Sequence, residues 1–201
     1  MKVRASVRST VVLVAGLLLT SARTEAGERQ IRPFIGVTFG GGTTFVLNNA
    51  VGKPNPAIGA SAVLLGEVFG AEVDVADAPG FFEPDGKHQV LSSRVTTISG
   101  NVVLAAPHRL TEYSLRPYFV GGAGLMRVRT TTASNVFDLS SVIPALDIGI
   151  GAVGFLTNRM GVCWEVRRFQ SVGSNTDSGG RSFGPEHLSF WRATMAVAIR
   201  Y

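Results

Sequence analysis

The sequence predicts an all-β protein, an eight-stranded antiparallel up-and-down transmembrane β-barrel preceded by a cleavable signal peptide. Three observations predict this fold. Eight segments of the chain alternate apolar with small or polar residues, and turn-forming residues separate them. Long and short connections alternate along the chain, as in barrels whose two ends face different compartments. Apolar residues make up 45% of the chain and the mean hydropathy is +0.25, although no strand segment is uniformly apolar.

The first 26 residues have the composition of a cleavable export signal. Three basic residues within the first eight positions precede the apolar run VVLVAGLLL (11–19), and small residues follow up to Ala26. That run is too short to cross a bilayer as a helix. We therefore predict a signal peptide over 1–26 and a barrel domain over 27–201, with cleavage after Ala22 as the alternative.

Net charge and cysteine content limit the possible partners and crosslinks. Removing residues 1–26 takes away four basic residues and Glu25, so the formal net charge falls from +5 to +2. The remaining chain has no basic run typical of nucleic-acid binding, and nucleic acid is not an expected partner. Because Cys163 is the only cysteine, an intrachain disulfide is excluded. A core or a closed sheet must hold the exported chain together.

The lengths of the connections orient the predicted barrel. Two connections are short (65–68 and 156–159), one is intermediate (105–114), and the others are long and rich in Gly, Asn, Ser, Thr and Pro. With eight strands, both chain ends fall on the side of the short turns. The predicted strands cover residues 32–40, 57–64, 69–76, 90–104, 115–129, 144–155, 160–169 and 188–201.

Each predicted strand has one apolar side and one small or charged side. In the stretch FGAEVDVADAPGFF (69–82), Val73 and Val75 lie on one side, and Glu72 and Asp74 on the other. Alternation alone does not tell inside from outside. The strand lengths, the apolar total and the aromatic residues on the apolar sides favour a lipid-facing exterior. Strands in hydrocarbon must pair on both edges, so the sheet must close, and eight strands leave an interior filled by side chains.

The predicted register sorts the notable side chains into two groups. An ion-pair network in the lumen is the preferred interpretation of the inward charges, since isolated charges in a narrow space are costly. A gated polar pore and a glycosidase carboxylate pair are the alternatives. The predicted lumen residues are Glu72, Asp74, Asp147, Glu165, Arg167, Arg192 and Arg200. The predicted lipid-facing aromatic girdle consists of Trp164, Trp191 and Tyr201.

Three segments resemble a known family. AVAIRY (196–201), RPYFVGGAGL (116–125) and EVDVADAPGFF (72–82) are similar to strands of small bacterial outer-membrane β-barrels of the OmpA/OmpX-like eight-stranded kind. A C-terminal peptidoglycan-binding domain of the kind found in some members is not part of the sequence. The resemblance implies a location in the outer membrane, with outer-membrane lipid and lipopolysaccharide as surroundings. It also implies that the segment ending in Tyr201 is recognised by the barrel-assembly machinery.

One enzymatic interpretation follows from this resemblance. Some eight-stranded barrels are lipid A deacylases with a His-x-Ser pair, a spacing that His187 and Ser189 share. Phe190 follows where the deacylase pattern has Asn, and no acidic residue follows Glu186. We therefore predict no catalytic residue and no enzyme. Cys163 is interpreted as a small packing residue, and no metal site or cofactor is expected.

The long connections hold the remaining candidates. Phe81, Phe82 and Phe183 are predicted contact residues for an external ligand at loops 77–89 and 170–187, with packing at the barrel mouth as the alternative. The predicted function is a structural or surface-interaction role, such as adhesion or membrane integrity. A narrow channel for a small solute and a lipid A-modifying hydrolase are the alternatives.

Overall fold

The structure, a computed structural model, is a single closed sheet of eight strands. It describes residues 27–43, 54–81, 90–107, 111, 115–132, 138–172 and 188–201. The predicted signal peptide, Phe82, Phe183 and His187 lie outside these residues. The strands are β1 (Glu28–Thr43), β2 (Asn55–Leu65), β3 (Phe69–Pro79), β4 (Val90–Ala105), β5 (Leu115–Thr132), β6 (Asp138–Phe155), β7 (Met160–Ser171) and β8 (Leu188–Arg200).

Every strand pairs antiparallel with its neighbours in the chain, and β1 pairs with β8 to close the barrel. Following the paired residues around the barrel from Glu28 leads back to β1 at Thr38, ten residues farther along. Such an offset tilts the strands against the barrel axis, because the sheet can close only on a staggered register. The predicted eight-stranded antiparallel barrel is confirmed.

Strand boundaries differ most from the prediction at two places. β1 begins at Glu28, four residues before the predicted start. β5 and β6 extend into the predicted loop 130–143, where Thr131 lies opposite Asp138 and only 133–137 remain as the connection. Thr is a favourable strand residue, and the run of three at 130–132 sustains the pairing. The connection 106–114 is consequently longer than this one, and the alternation of long and short connections is not strict.

Apolar side chains cover the outside of the wall. Ile148 and Phe119 are 68% and 65% exposed, and outward residues of all eight strands share this character. A surface of this kind is unfavourable in water and favourable against lipid, which identifies it as the membrane-facing side. The described residues contain no helix long and apolar enough to cross a membrane.

Buried apolar residues form two clusters inside the barrel, one at each end. The lower cluster belongs to the end with the short turns and includes Leu65, Ala105, Tyr118, Val153 and Ala198. The upper cluster belongs to the end with the long loops. Its members are Ala57, Ala78, Phe81, Val95, Met126, Val128, Ile143, Ala145, Phe169, Leu188 and Phe190. Most of the charged residues of the interior lie between the two clusters.

Glycines make room for the largest inward side chains. The ring of Tyr118 lies over its cross-strand partner Gly151, where an added Cβ would sit 2.5 Å from the Tyr118 ring carbon Cζ. Arg167 is paired in the same way with Gly149, where an added Cβ would sit 2.6 Å from Arg167 Cγ. A narrow barrel can thus hold a long side chain because its neighbour has none.

Candidate functional site

Arg167 is the centre of the buried charge network. Its Nη2 donates to Glu72 Oε2 at 2.6 Å and to Glu165 Oε2 at 2.8 Å, and its Nε donates to Glu165 Oε1. Its Nη1 lies 3.7 Å from Asp147 Oδ1. All four side chains are buried, and three carboxylates from β3, β6 and β7 therefore surround one guanidinium. Since a buried charge is tolerable only when it is paired and hydrogen-bonded, these contacts are what allow the charges to remain inside.

Asn101 connects the same carboxylates from β4. When its amide oxygen faces Arg167, Oδ1 accepts from Arg167 Nη1 at 2.6 Å and Nδ2 donates to Asp147 Oδ2 at 3.0 Å. This orientation satisfies both ends of the amide, which the opposite one does not. Asn101 thereby bridges Asp147 and Arg167, whose nearest oxygen and nitrogen atoms, Oδ1 and Nη1, are 3.7 Å apart.

Arg192 forms a second buried ion pair, in which one guanidinium nitrogen contacts both carboxylate oxygens of Asp74. Its Nη2 donates to both Asp74 oxygens at 2.9 Å. The guanidinium carbon also lies 4.9 Å from the ring centre of Phe34 and 4.8 Å from that of Phe169. Among the described residues, Arg192 Nε and Nη1 have no hydrogen-bond partner. The two aromatic faces supply a favourable electrostatic contact in place of acceptors.

A third group lies below these pairs. Arg32 Nε donates to Gln30 Oε1 at 2.7 Å, and its guanidinium lies 5.2 Å from the ring centre of Tyr118. The Tyr118 hydroxyl donates to Glu165 Oε2 at 2.8 Å and lies 3.0 Å from Cys163 Sγ. Tyr118 therefore joins the Arg32 group to the Arg167 group. We call these two groups, together with the Arg192–Asp74 pair, the central layer.

Six of the seven predicted lumen residues are buried within this layer. They are Glu72, Asp74, Asp147, Glu165, Arg167 and Arg192. Arg200 lies on the same inward side of β8, but below this layer. It is partly exposed at the lower rim, where it pairs with Glu28 and lies 3.2 Å from the ring centre of Phe155. Because it is the last residue of the strand, its side chain contacts the rim and not the central layer.

The central layer also contains residues that the sequence alone did not single out. Arg32 supplies the third buried base in place of Arg200, and Gln30, Asn101 and Tyr118 supply most of the neutral hydrogen bonds. The alternation of β1 could have identified Gln30 and Arg32. The prediction did not include them because Gln30 precedes the predicted strand start, and because the inward Phe34 is as apolar as the outward Ile35, so β1 has no clear polar side.

The lower end of the barrel is closed by a second set of polar contacts. Arg116 donates from Nε to Ala106 O at 2.8 Å and from Nη2 to Gly66 O at 3.0 Å and Glu67 O at 2.5 Å. Its Nη1 lies 3.9 Å from Glu28 Oε2. One buried arginine thus ties the β2–β3 turn to the β4–β5 connection. These contacts satisfy carbonyl groups that the turns leave unpaired.

Aromatic rings occupy the upper end, and Phe81 packs at the barrel mouth, which was the alternative to a loop contact. Phe81 is 4% exposed, and its ring packs edge-on against Phe190 with 5.0 Å between ring centres. Phe190 in turn stacks on Phe169 at 5.1 Å. Phe81 points into the mouth because Gly80, with φ of +73°, turns the chain inward after β3. It is therefore not available as an exposed contact for an external ligand.

The three predicted girdle residues lie on the outer surface. Trp164, Trp191 and Tyr201 are all exposed, with Trp164 toward the lower half, Tyr201 at the lower rim and Trp191 near the upper end. Arg168, also outward, lies 5.7 Å from the ring centre of Trp191. A cation stacked on an interfacial tryptophan is stable at the level of lipid headgroups.

The described residues give little support to enzymatic chemistry. Ser189 lies on the outward side of β8 and Phe190 on the inward side, and His187 is not among the described residues. No group of three or more His, Cys, Asp or Glu side chains within the described ranges could hold a metal ion. Cys163 is a buried free thiol in contact with Tyr118.

Comparisons with known proteins give the fold of the chain. No protein-family model and no curated protein sequence matches it. Solved structures do match. The chain is similar to Neisserial surface protein A, with 11% identity over 86% of this chain and 97% of the other and a TM-score of 0.65. It is similar to the outer membrane protein OprG from Pseudomonas aeruginosa, with 14% identity, coverages of 88% and 96%, and a TM-score of 0.60.

A third similar structure is Ail, the attachment invasion locus protein of Yersinia pestis. It shares 11% identity over 86% of this chain and 99% of the other, with a TM-score of 0.53. At such identities the likeness concerns the fold. The chain has the fold of small eight-stranded outer-membrane barrels, in agreement with the predicted family resemblance and outer-membrane location.

Proposed function

We propose that the protein is a non-conducting integral barrel of the bacterial outer membrane that acts through its outer surfaces, in adhesion, surface contact or membrane integrity. The observation that carries the proposal is the filled interior. An apolar cluster closes each end, and a hydrogen-bonded charge layer occupies the space between them. An ion crossing the barrel would have to pass the aromatic rings at the upper end and displace the buried ion pairs of the interior.

The location is supported by the apolar exterior and by the shared fold. The exposed residues of the wall would be unfavourable in water, and one of the similar solved structures, OprG, is an outer membrane protein. One of them, Ail, is described as an attachment protein and has been solved with the heparin analogue sucrose octasulfate. We include attachment to a partner among the proposed roles of this chain.

We also propose that an external partner binds at the long loops. Loops 77–89 and 170–187 remain the candidate contact regions, with Phe82 and Phe183 as their candidate aromatic residues. Phe81 is excluded from this role by its burial. Insertion through the barrel-assembly machinery, with the segment ending in Tyr201 as the recognised signal, is also a proposal.

Conductance distinguishes this function from a channel. We expect the purified barrel, inserted in planar lipid bilayers, to give no current above that of protein-free bilayers over a wide voltage range. The reason is that the upper aromatic cluster and the ion-pair layer leave no continuous aqueous path. A general-diffusion porin inserted under the same conditions serves as the positive control. Discrete, reproducible steps from the folded barrel would contradict the proposal and favour the channel.

The enzymatic alternative has its own measurement. Lipid A extracted from cells that express the protein should have the same acyl chains as lipid A from cells with an empty vector. Loss of an acyl chain in the expressing strain, abolished by Ser189→Ala, would favour a lipid A hydrolase.

A further inference from the structure

Three arginines lie on the outside of the barrel at the end of the long loops. Arg94 on β4 and Arg127 and Arg129 on β5 all point outward and are exposed. The wall below them is apolar, with Ile98 and Leu125 exposed on the same two strands. We call these three residues the outer-rim arginines.

The sheet register brings these arginines together. Arg94 and Arg129 are direct cross-strand partners, and Arg127 is paired with Thr96 on the same outward side. Opposed side chains in an antiparallel pair have Cβ atoms about 5 Å apart, and diagonal neighbours are about 7–8 Å apart. Like charges placed directly opposite each other destabilise a sheet, so an anion that contacts these arginines would stabilise the arrangement.

Asp77 on β3 is an acidic neighbour of this cluster. It pairs with Arg94 at 3.3 Å and accepts a hydrogen bond from the Thr96 hydroxyl at 2.9 Å. The register also places Asp138 diagonally opposite Arg129 across β5 and β6. Among the side chains that the structure describes, Arg127 and Arg129 form no ion pair, and positive charge exceeds negative charge on this face, where Arg94 is 56% exposed.

The position of the outer-rim arginines along the barrel axis indicates which anions can reach them. Arg127 lies twelve residues above Leu115, where β5 starts at the lower rim. At about 2.3 Å of height per residue in a strand tilted by about 45°, this amounts to about 28 Å. The apolar band of such barrels is about 25 Å tall. The outer-rim arginines therefore lie just above the band, where the headgroups of outer-leaflet lipids are located.

We propose that the outer-rim arginines bind the phosphate groups of an outer-leaflet glycolipid headgroup, whose acyl chains lie along the apolar wall below. Guanidinium groups match phosphate oxygens in a bidentate manner, and a partly dry interface strengthens such bonds. Asp77 fixes Arg94 and leaves the other two arginines for the lipid. This inference rests on the proposed membrane location but not on the absence of a channel.

Binding of purified lipids to the barrel refolded in detergent tests the proposal, with native mass spectrometry as the readout. We expect bisphosphorylated lipid A to bind, and Arg127→Gln/Arg129→Gln to weaken this binding about tenfold or more, as expected from losing a charge-assisted contact. Arg127→Lys/Arg129→Lys, which keeps the charge, should retain most of the affinity. Arg29→Gln/Arg159→Gln removes the same charge from exposed sites at the lower rim and should change nothing.

Several results would overturn the proposal. Equal affinity of the outer-rim variant and the wild type would do so, as would equal binding of fully dephosphorylated lipid A. Displacement of lipid A by millimolar inorganic phosphate would identify a free-anion site instead. A faster-migrating unboiled band on a gel verifies that each variant is folded. A folded, non-conducting barrel that fails to bind lipid A would contradict this inference and leave the proposed function intact.

Discussion

At the scale of single residues, Arg167 is the most connected side chain of the interior. It faces three carboxylates. Because its side chain is only 1% exposed, water does not solvate its charge. Removing one partner of a buried pair costs more than the pair itself contributes, because the other charge stays behind without compensation. The stability of the central layer therefore depends on this residue more than on any single acid around it.

We expect Arg167→Met to lower the free energy of unfolding by about 3–5 kcal/mol, the usual cost of an uncompensated buried charge. Urea unfolding of the barrel in lipid vesicles measures it as a lower midpoint. Arg159→Met, at an exposed site in the β6–β7 turn, is the matched control and should stay within about 0.5 kcal/mol of the wild type. Adding Glu72→Gln and Glu165→Gln to Arg167→Met should restore part of the loss. An unchanged midpoint would mean that the network is not formed.

The alternation of β3, combined with a lipid-facing apolar exterior, predicts that Glu72 and Asp74 lie in the lumen, but it does not identify their partners. Glu72 pairs with Arg167 and Asp74 with Arg192, on strands that are not neighbours of β3. Which inward residues meet across the barrel depends on the strand stagger, and a ten-residue offset is not visible in any one segment. Phe81 shows a similar limit, since its burial follows from the backbone direction at Gly80.

At the scale of strands, large inward side chains and glycines occupy opposite positions of the same pairs. Tyr118 and Gly151 are one such pair in β5 and β6, and Phe34 and Gly59 are another in β1 and β2. The glycine does not bend these strands but leaves space for the neighbouring side chain. A substitution on one strand therefore alters what its neighbour can accommodate.

We expect Gly151→Ala to destabilise the barrel by about 1–3 kcal/mol, the usual cost of overpacking a filled core. The new methyl would collide with the Tyr118 ring, which would also lose its hydrogen bond to Glu165. A double-mutant cycle with Tyr118→Ala, measured by the same unfolding transition, should be non-additive: Gly151→Ala should cost less when the ring is absent. Gly100→Ala, where an added Cβ meets nothing within 4 Å, is the control. Fully additive effects would contradict the proposed sharing of space.

The strand boundaries were predictable from the sequence where turn residues punctuate the chain, as at 65–68 and 156–159. They were not predictable at the upper ends of β5 and β6. There a run of threonines and serines reads as a polar loop by composition, yet it continues the ladder because each residue has a partner opposite. Pairing between two strands decides such ends, and a single-strand pattern does not contain that information.

At the scale of the whole molecule, packed side chains occupy the interior at both ends of the described strands. Cys163 lies at the lower side of the central layer, 3% exposed, below the charge network and inside the floor formed around Arg116. Reaching its sulfur from either mouth requires displacement of packed side chains. The thiol therefore reports directly on whether the barrel is closed in solution.

We expect Cys163 in the folded barrel to resist a water-soluble maleimide for hours and to react fully after denaturation, as followed by the mass increase. Asn158→Cys in a Cys163→Ala background places the thiol on an exposed turn and should react at once. Rapid labelling of the native protein at Cys163 would show a wet, accessible lumen and would favour the channel.

The seam between β1 and β8 has a consequence for how quickly the barrel can form. Gln30 and Arg200 are cross-strand partners although 170 positions separate them in the chain. Contacts so distant in sequence are slow to form, because the loss of chain entropy precedes the gain from pairing. Until this last ladder is made, both strands present unpaired edges that can recruit other chains. Closure at the seam is accordingly the step where folding and aggregation compete, and where an assembly catalyst would have the largest effect.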